Sequence, residues 1–428
     1  MVFEPSKGSN INVLLRDSFN NYLDNLVRPQ VHIRNQTWAT FQLCGYIGLA
    51  LAILLTMTLV MYWGLSPWIM AGIVLTAVSI LLGLTMVTKI IRGEERIINY
   101  HHQIAVLVTT AILLWFLGQP ILPYLDITMI GVGLFIACGR IGCLMNGCCH
   151  GQPHCWGVCY RTEYIATGFT RYLIGVRLFP IQAIESLWVF FIVLVGSAFV
   201  LIGRPPGEAL TWYIVGYSVG RFFFESMRGD PERPYYWGYS EPQWISVIVL
   251  ILVVAAELTN FLPFHLWHIG AAVFLIGIII VVTIKRRLQK TMKHQLLHPH
   301  HIREVAKVIE QTPNLTKQSP IVSRQKSTPG DIHVGYTSLG IQISTGKIEN
   351  TAGDITHYTL SCQNRIMAEE AARTLAELIL QLKHSSGPSE IVRGNQGVYH
   401  LLIHPKPGLM HSNLIKSQPQ VEPTVAKG

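Results

Sequence analysis

The sequence predicts an all-α polytopic membrane protein with seven to eight transmembrane helices, of which the last is followed by a small α+β domain. Half of the 428 residues are apolar and only 13% are charged, too little charge for a soluble two-domain protein. Apolar stretches of about 20 residues, enough to cross a bilayer, recur along the first two thirds of the chain. Lipid offers backbone amides no partner, so such stretches span only as helices that satisfy their own hydrogen bonds. Beyond residue 332 the periodicity changes to short alternating runs around one amphipathic helix.

Residues 1–38 are polar and lack a short apolar core followed by small residues, so no cleavable leader is expected and insertion begins with an internal span. The transmembrane part covers 39–284, with spans near 40–63, 67–90, 103–123, 127–147, 180–203, 208–225, 243–261 and 263–284. The first, third and seventh connections are short, and the fifth is the tight turn Arg204-Pro205-Pro206-Gly207. Most basic loop residues sit in the other connections: Lys89, Arg92 and Arg96, then Arg161, Arg171 and Arg177, then Arg228 and Arg233. Lys285, Arg286, Arg287, Lys290 and Lys293 follow the last span and share that side in an eight-span count. The positive-inside rule then puts both termini in the cytoplasm. The net charge of +9 is spread over these loops, which fits anionic lipid headgroups rather than nucleic acid. Residues 285–332 are basic, His-rich and without sustained apolar period, and read as a linker. Ile332–Ile343 and Val398–Ile403 alternate like strands and Met367–Leu382 has helical apolar spacing, so 333–406 is expected to be the α+β domain and 407–428 a tail.

Four constellations carry chemistry. The fourth span ends in Gly139-Arg140-Ile141-Gly142-Cys143-Leu144-Met145-Asn146-Gly147-Cys148-Cys149-His150-Gly151. An arginine at mid-span costs roughly 2.5–3.5 kcal/mol on insertion scales. A snorkelling side chain explains Arg140 alone, but the surrounding glycines let a headgroup approach, which favours a phosphate site. At the end of the sixth span Arg221, Glu225 and Arg228 share one helix face, so the carboxylate pairs with one guanidinium while another stays available to an anion. Gln182 and Glu185 lie one turn apart where the fifth span begins, placed to order arginines or meet substrate hydroxyls. A plain helix start is the competing reading. His101 and His102 open the third span, where a histidine can take a proton from a thiol or merely anchor at headgroups.

Taken together, these runs resemble the prolipoprotein diacylglyceryl transferase family. Gly139-Arg140-Ile141-Gly142 with Asn146-Gly147, Gly151 and Trp156-Gly157-Val158 is similar to its main signature. Pro180, Gln182 and Glu185 match its Pro-x-Gln-x-x-Glu. Arg221-Phe222 with Glu225 matches its Arg-Phe-x-x-Glu, continued by Arg228 and Asp230. Asp126 and Gln243 stand at two further family positions. The resemblance covers about 40–260.

It implies transfer of the diacylglyceryl group of phosphatidylglycerol to the lipobox cysteine of a prolipoprotein, with release of glycerol phosphate, at a bacterial-type inner (plasma) membrane. It further implies that Arg140, Arg221 and Arg228 bind phosphate, that Asn146, Gly151, Gln182, Glu185 and Glu225 shape the site, and that His102 or His101 is the base. No cofactor or metal is implied, and the site would open to the outer face, opposite to the charge count.

The sequence departs from the family at Gln103-Ile104-Ala105, where Gly-Gly-Leu would follow the histidine, and at Cys143, where asparagine would stand. Six cysteines (Cys138, Cys143, Cys148, Cys149, Cys155, Cys159) lie within 22 residues. Disulfides joining Cys148 or Cys149 to Cys155 or Cys159 are the favoured explanation, ahead of free packed thiols, a transient acyl carrier or a metal centre with His150 and His154. Two other functions stay open at this point: a related phospholipid-dependent transferase with another acceptor, and a non-enzymatic membrane thiol or metal protein.

Overall fold

The computed structural model describes residues 10–93, 99–230, 233–288, 293–316, 334–348, 355–385 and 387–405. They divide into two compact units, Leu14–Lys290 and Thr291–Gly428, the latter together with Met1–Val13.

In the first unit, α1 (Asn10–Leu26) and a hairpin of β1 (Gln30–Ile33) and β2 (Gln36–Ala39) precede eight long helices. These are α2 (Thr40–Tyr62), α3 (Pro67–Arg92), α4 (Asn99–Phe116), α5 (Ile121–Asn146), α6 (Ile181–Leu201), α7 (Glu208–Met227), α8 (Glu241–Leu258) and α9 (Leu266–Leu288). Each corresponds to one expected span. Among the described residues six are long and apolar enough to cross a membrane, α4 and α7 being the two that fall short. α4 is short in its described apolar part, and α7 carries Glu208, Arg221 and Glu225. The chain is thus a multi-pass helical membrane protein. The polar stretch 1–38 is more structured than its composition suggests: Asn20 of α1 accepts from the Gly157 amide at 2.9 Å, and Asp24 pairs with Arg177 at 2.9 Å.

α5 is the axis of the bundle. Most of it is buried, whereas α3 buries only about a tenth of its span, 11% against 67%. Small residues bring the backbones together, because packing in lipid relies on close van der Waals contact. A Cβ at Gly131 would stand 2.4 Å from Thr56 of α2, and one at Gly48 would stand 2.7 Å from Cys138 of α5. Asp126 of α5 accepts from the amides of Gly207 (2.7 Å) and Leu210 (2.6 Å), capping α7 from a neighbouring helix. This satisfies amides that the first helical turn leaves without partners.

The connection from α5 to α6 holds β3 (Pro153–Cys159) paired with β4 (Arg177–Leu178), and that from α7 to α8 holds β5 (Tyr235–Tyr236) paired with β6 (Tyr239–Ser240). Arg286 near the end of α9 donates to the Gly238 carbonyl at 2.8 Å, so the basic end of the last helix lies beside the loop between α7 and α8. That agrees with the eight-helix count.

The second unit contains α10 (Lys293–Leu296), α11 (Pro299–Thr316) and an antiparallel five-stranded sheet. Its strands are β7 (Val334–Tyr336), β8 (Ile341–Ile348), β9 (Ile355–Cys362), β10 (Ser389–Arg393) and β11 (Tyr399–Ile403), in the order β10-β11-β9-β8-β7, with α12 (Glu369–Leu382) between β9 and β10 in sequence. The stretch expected to be a linker therefore contains a helix. Ile302, Val305, Ala306 and Ile309 recur at helical spacing and are all buried, a face that the surrounding histidines and charges masked in the composition. The remainder of that stretch and the expected tail lie largely outside the described residues.

Candidate functional site

At one end of the first unit, α5, α6 and α7 bring together the residues of three separate motifs. Glu185 on the first turns of α6 is the hub. Its Oε2 meets Arg140 Nε at 2.7 Å and its Oε1 meets an Arg221 nitrogen at 2.8 Å, with Arg228 at 3.6 Å. Arg221 also approaches Glu225 at 3.0 Å along its own helix, without the alignment of a hydrogen bond. Arg228 is held by Asp230 at 2.9 Å, Asp230 also accepts from Arg233 at 2.9 Å, and Arg233 pairs with Glu225. Arg140 is 4% exposed, Arg228 2% and Glu185 4%.

Among the described residues this cluster sets four guanidinium groups against three carboxylates. A buried charge must be matched, and the Cys149 thiol, drawn towards its anionic form by hydrogen bonds from Cys143 and Cys148 and by Arg228 and Arg140, adds to the negative side. A small cavity of about 10 Å³ opens beside the cluster, lined by Arg140, Glu185, Arg221, Trp188, Tyr217 and Phe224.

Backbone crossings fix these side chains. The Gly151 amide donates to the Phe179 carbonyl (3.1 Å), the Gln152 amide to Met227 (3.0 Å) and the Gly229 amide to His150 (2.9 Å). The ends of α5, α6 and α7 are thereby tied together. The approach demands glycine: a Cβ at Gly151 would stand 2.5 Å from the Phe179 carbonyl oxygen. Gly151 thus contributes through the crossing that carries Arg228. Gln182 donates to the Cys148 carbonyl at 2.8 Å, and Gln243 donates to the Phe222 carbonyl at 3.2 Å. Asn146 ends α5 half-buried, where its carbonyl accepts from Thr167.

The histidines fall elsewhere. His101 is exposed, its ring edge-on to Tyr100. His102 lines a cavity of about 120 Å³ between α2, α3, α4 and α5, whose wall is otherwise almost wholly apolar. A nearby residue that feels the arginines is Tyr100, which pairs with Glu241 and lies in the field of Arg221 and Arg233. Tyr100, Tyr217 and Arg233 were not among the sequence candidates. The spacing of Arg233 three residues after Asp230 was the available signal.

All eight cysteines are free, so the disulfides expected from the sequence do not form. The sulfurs of Cys148 and Cys149 turn towards Cys143 instead, and the three lie within 4.8 Å of one another. Cys155 is exposed on β3, and Cys159 donates to the Gly175 carbonyl. Hydrogen bonds from Cys143 and Cys148, then the charges of Arg228 and Arg140, hold the Cys149 thiol well below the ordinary thiol range. Burial lowers the neighbouring His150, whose Nδ1 donates to the Gly151 carbonyl at 2.9 Å.

The cluster lies within a stretch that matches a known family. Residues 100–259 match the model of a family described as prolipoprotein diacylglyceryl transferase. That stretch is similar to the prolipoprotein diacylglyceryl transferase family. It runs from α4 through α8 and contains every member of the arginine–carboxylate cluster. Three curated relatives carry the corresponding name. A phosphatidylglycerol--prolipoprotein diacylglyceryl transferase 2 of Clostridium perfringens is 32% identical over 133 residues, 31% of this chain and 49% of its own length. A phosphatidylglycerol--prolipoprotein diacylglyceryl transferase of Clostridium tetani is 30% identical over 134 residues, 31% and 51%. One of Streptococcus agalactiae serotype Ia is 33% identical over 133 residues, 31% and 50%. The chain spans about half the length of the curated relatives it matches.

Proposed function

We propose that the protein transfers the diacylglyceryl group of phosphatidylglycerol to the lipobox cysteine of a prolipoprotein and releases glycerol phosphate, as a multi-pass protein of a bacterial-type inner (plasma) membrane. The observation that carries this reading is the gathering of four guanidinium groups, Arg140, Arg221, Arg228 and Arg233, at one end of the bundle. Phosphate is a lipid-borne anion of the right kind, and guanidinium is its best geometric partner. The names of the relatives support the same substrates.

In this reading Arg140 and Arg221 contact the phosphoryl oxygens, and Arg228 is held in register by Asp230. As the glyceryl carbon–oxygen bond breaks, negative charge grows on the leaving phosphate, and fixed guanidinium groups stabilise it without reorganising. Glu185 and Glu225 prevent the arginines from repelling one another apart before substrate arrives. The apolar cavity lined by His102 suits an acyl chain entering from the bilayer, since nearly all of its wall is hydrocarbon.

The test measures glycerol phosphate released from phosphatidylglycerol by the purified protein in detergent, with and without a lipobox cysteine peptide, beside Arg140→Ala. Peptide-dependent release that the variant loses is the expected result. Release that ignores the peptide overturns the acceptor, and no release beside an active control overturns the reaction.

A further inference from the structure

The cysteine trio has no part in the reaction as described above, although it touches the same arginines. Cys143 closes the last turn of α5, and Cys148 and Cys149 return to it because two successive reversals lie between them. Gly147 ends the helix at φ +78°, and Cys149 itself sits at φ +56°. A non-glycine residue in that region stores strain of order 1–3 kcal/mol and persists only where its surroundings hold it. Here Gln182, buried at the start of α6, holds the Cys148 carbonyl. The turn that presents the sulfurs is thus braced from a second helix.

We propose that Cys143, Cys148 and Cys149 form a three-thiolate site for a soft d10 cation of the zinc class, whose fourth position takes the thiol of the acceptor; this rests on the transferase reading above. Tetrahedral zinc with sulfur at about 2.3 Å needs sulfurs about 3.8 Å apart. No pair in the trio is wider than 4.8 Å, a gap that side-chain rotation closes. The spacing gathers all three around one point and singles out no pair for a bond. Three thiolates around a divalent ion leave one net negative charge, and Arg140 and Arg228 lie close enough to Cys149 to act on it. Three protein ligands with one open position is the pattern of a reactive zinc site, as opposed to a closed structural one.

Such a site supplies a means of deprotonating the acceptor next to the phosphate site. A thiol that coordinates the ion loses its proton to water. Its sulfur pair then attacks the glyceryl carbon bonded to the phosphate oxygen, and the carbon–sulfur bond forms as that carbon–oxygen bond breaks. Glycerol phosphate leaves with the electron pair, held by the arginines.

The experiment uses the purified full chain, reduced and stripped of metal. Zinc is added and reactive thiols are counted with a maleimide. Cobalt(II) is then used as the spectroscopic probe. The expected result is three fewer reactive thiols of the eight, tetrahedral cobalt bands with thiolate charge transfer, and a change in those bands on adding a lipobox cysteine peptide but not its serine counterpart. Cys148→Ser should weaken ion binding at least about tenfold, one ligand of three being lost, whereas Cys155→Ser should leave it unchanged. Unchanged thiol counts with zinc in the wild-type chain, which need no variant to fold, overturn the site. Equal loss in Cys155→Ser overturns the assignment to the trio, and cobalt bands indifferent to the cysteine peptide overturn the role of the fourth position. None of these readouts requires turnover, so failure of the transferase reading shows separately in glycerol phosphate release.

Discussion

Replacing Glu185 with glutamine keeps the volume of the hub and removes its charge. Arg221 retains Glu225 and Arg228 retains Asp230, but Arg140 has Glu185 as its carboxylate, at 2.7 Å and almost fully buried. The cost therefore concentrates on one guanidinium. Breaking one partner out of a buried ion pair costs about 3–5 kcal/mol, and at 1.36 kcal/mol per decade that is roughly two to three and a half orders of magnitude in the folding equilibrium. Denaturant unfolding of the detergent-solubilised protein, followed by tryptophan emission, reads this directly, because Trp188 lines the same cavity. The double variant Arg140→Gln with Glu185→Gln should recover part of the loss, giving a coupling energy of about 0.5–3 kcal/mol. Inorganic phosphate should stabilise Glu185→Gln more than the wild type, since a negative charge has been removed from among the arginines. A Glu185→Gln protein within about 1 kcal/mol of wild type would refute the hub.

Gly151→Ala forces a Cβ against the Phe179 carbonyl oxygen. It should cost about 1–3 kcal/mol and abolish glycerol phosphate release, measured by unfolding and by the same assay. Asp126→Ala leaves the start of α7 without its cap and should cost about 1–2 kcal/mol in an unfolding titration. In the second unit, His301 donates from Nδ1 to the Leu296 carbonyl and meets Thr337 through Nε2. Burial lowers its pKa against the opposing pull of Glu304. The unfolded chain then takes up a proton near pH 6.5 that the folded unit refuses, so stability is full above that pH and falls as the pH drops below it. Hydrogen exchange in α11 and β7 should accelerate below about pH 6.5 in the wild type, and that dependence should weaken in His301→Gln.

The helices were legible because each apolar run is uninterrupted, and the arginine cluster was legible because Arg140, Glu185, Arg221 and Glu225 sit at helix ends where a charge needs a reason. What the sequence hid was tertiary. Nothing near His102 in the chain announces that its ring lies in an apolar cavity, since that depends on where α2 and α3 pack. The return of Cys148 and Cys149 to Cys143 depends on two left-handed residues and on Gln182, which is why disulfides to β3 looked better. β9 and β10 escaped because polar residues such as Thr356, His357 and Thr359 alternate with a thin apolar face. The helix over Pro299–Thr316 escaped because its buried stripe is set among basic residues.

That the cluster is shared among α5, α6 and α7 bears on how the chain is made. Arg140 leaves the ribosome 45 residues ahead of Glu185 and 85 ahead of Glu225. At 5–20 residues per second the first delay lasts roughly 2–9 s. During that interval the guanidinium waits without the carboxylate it meets in the finished fold. Biogenesis of the site is therefore a late event, complete only once the end of α7 has been delivered, and a chain stalled before Glu185 leaves Arg140 without its buried partner.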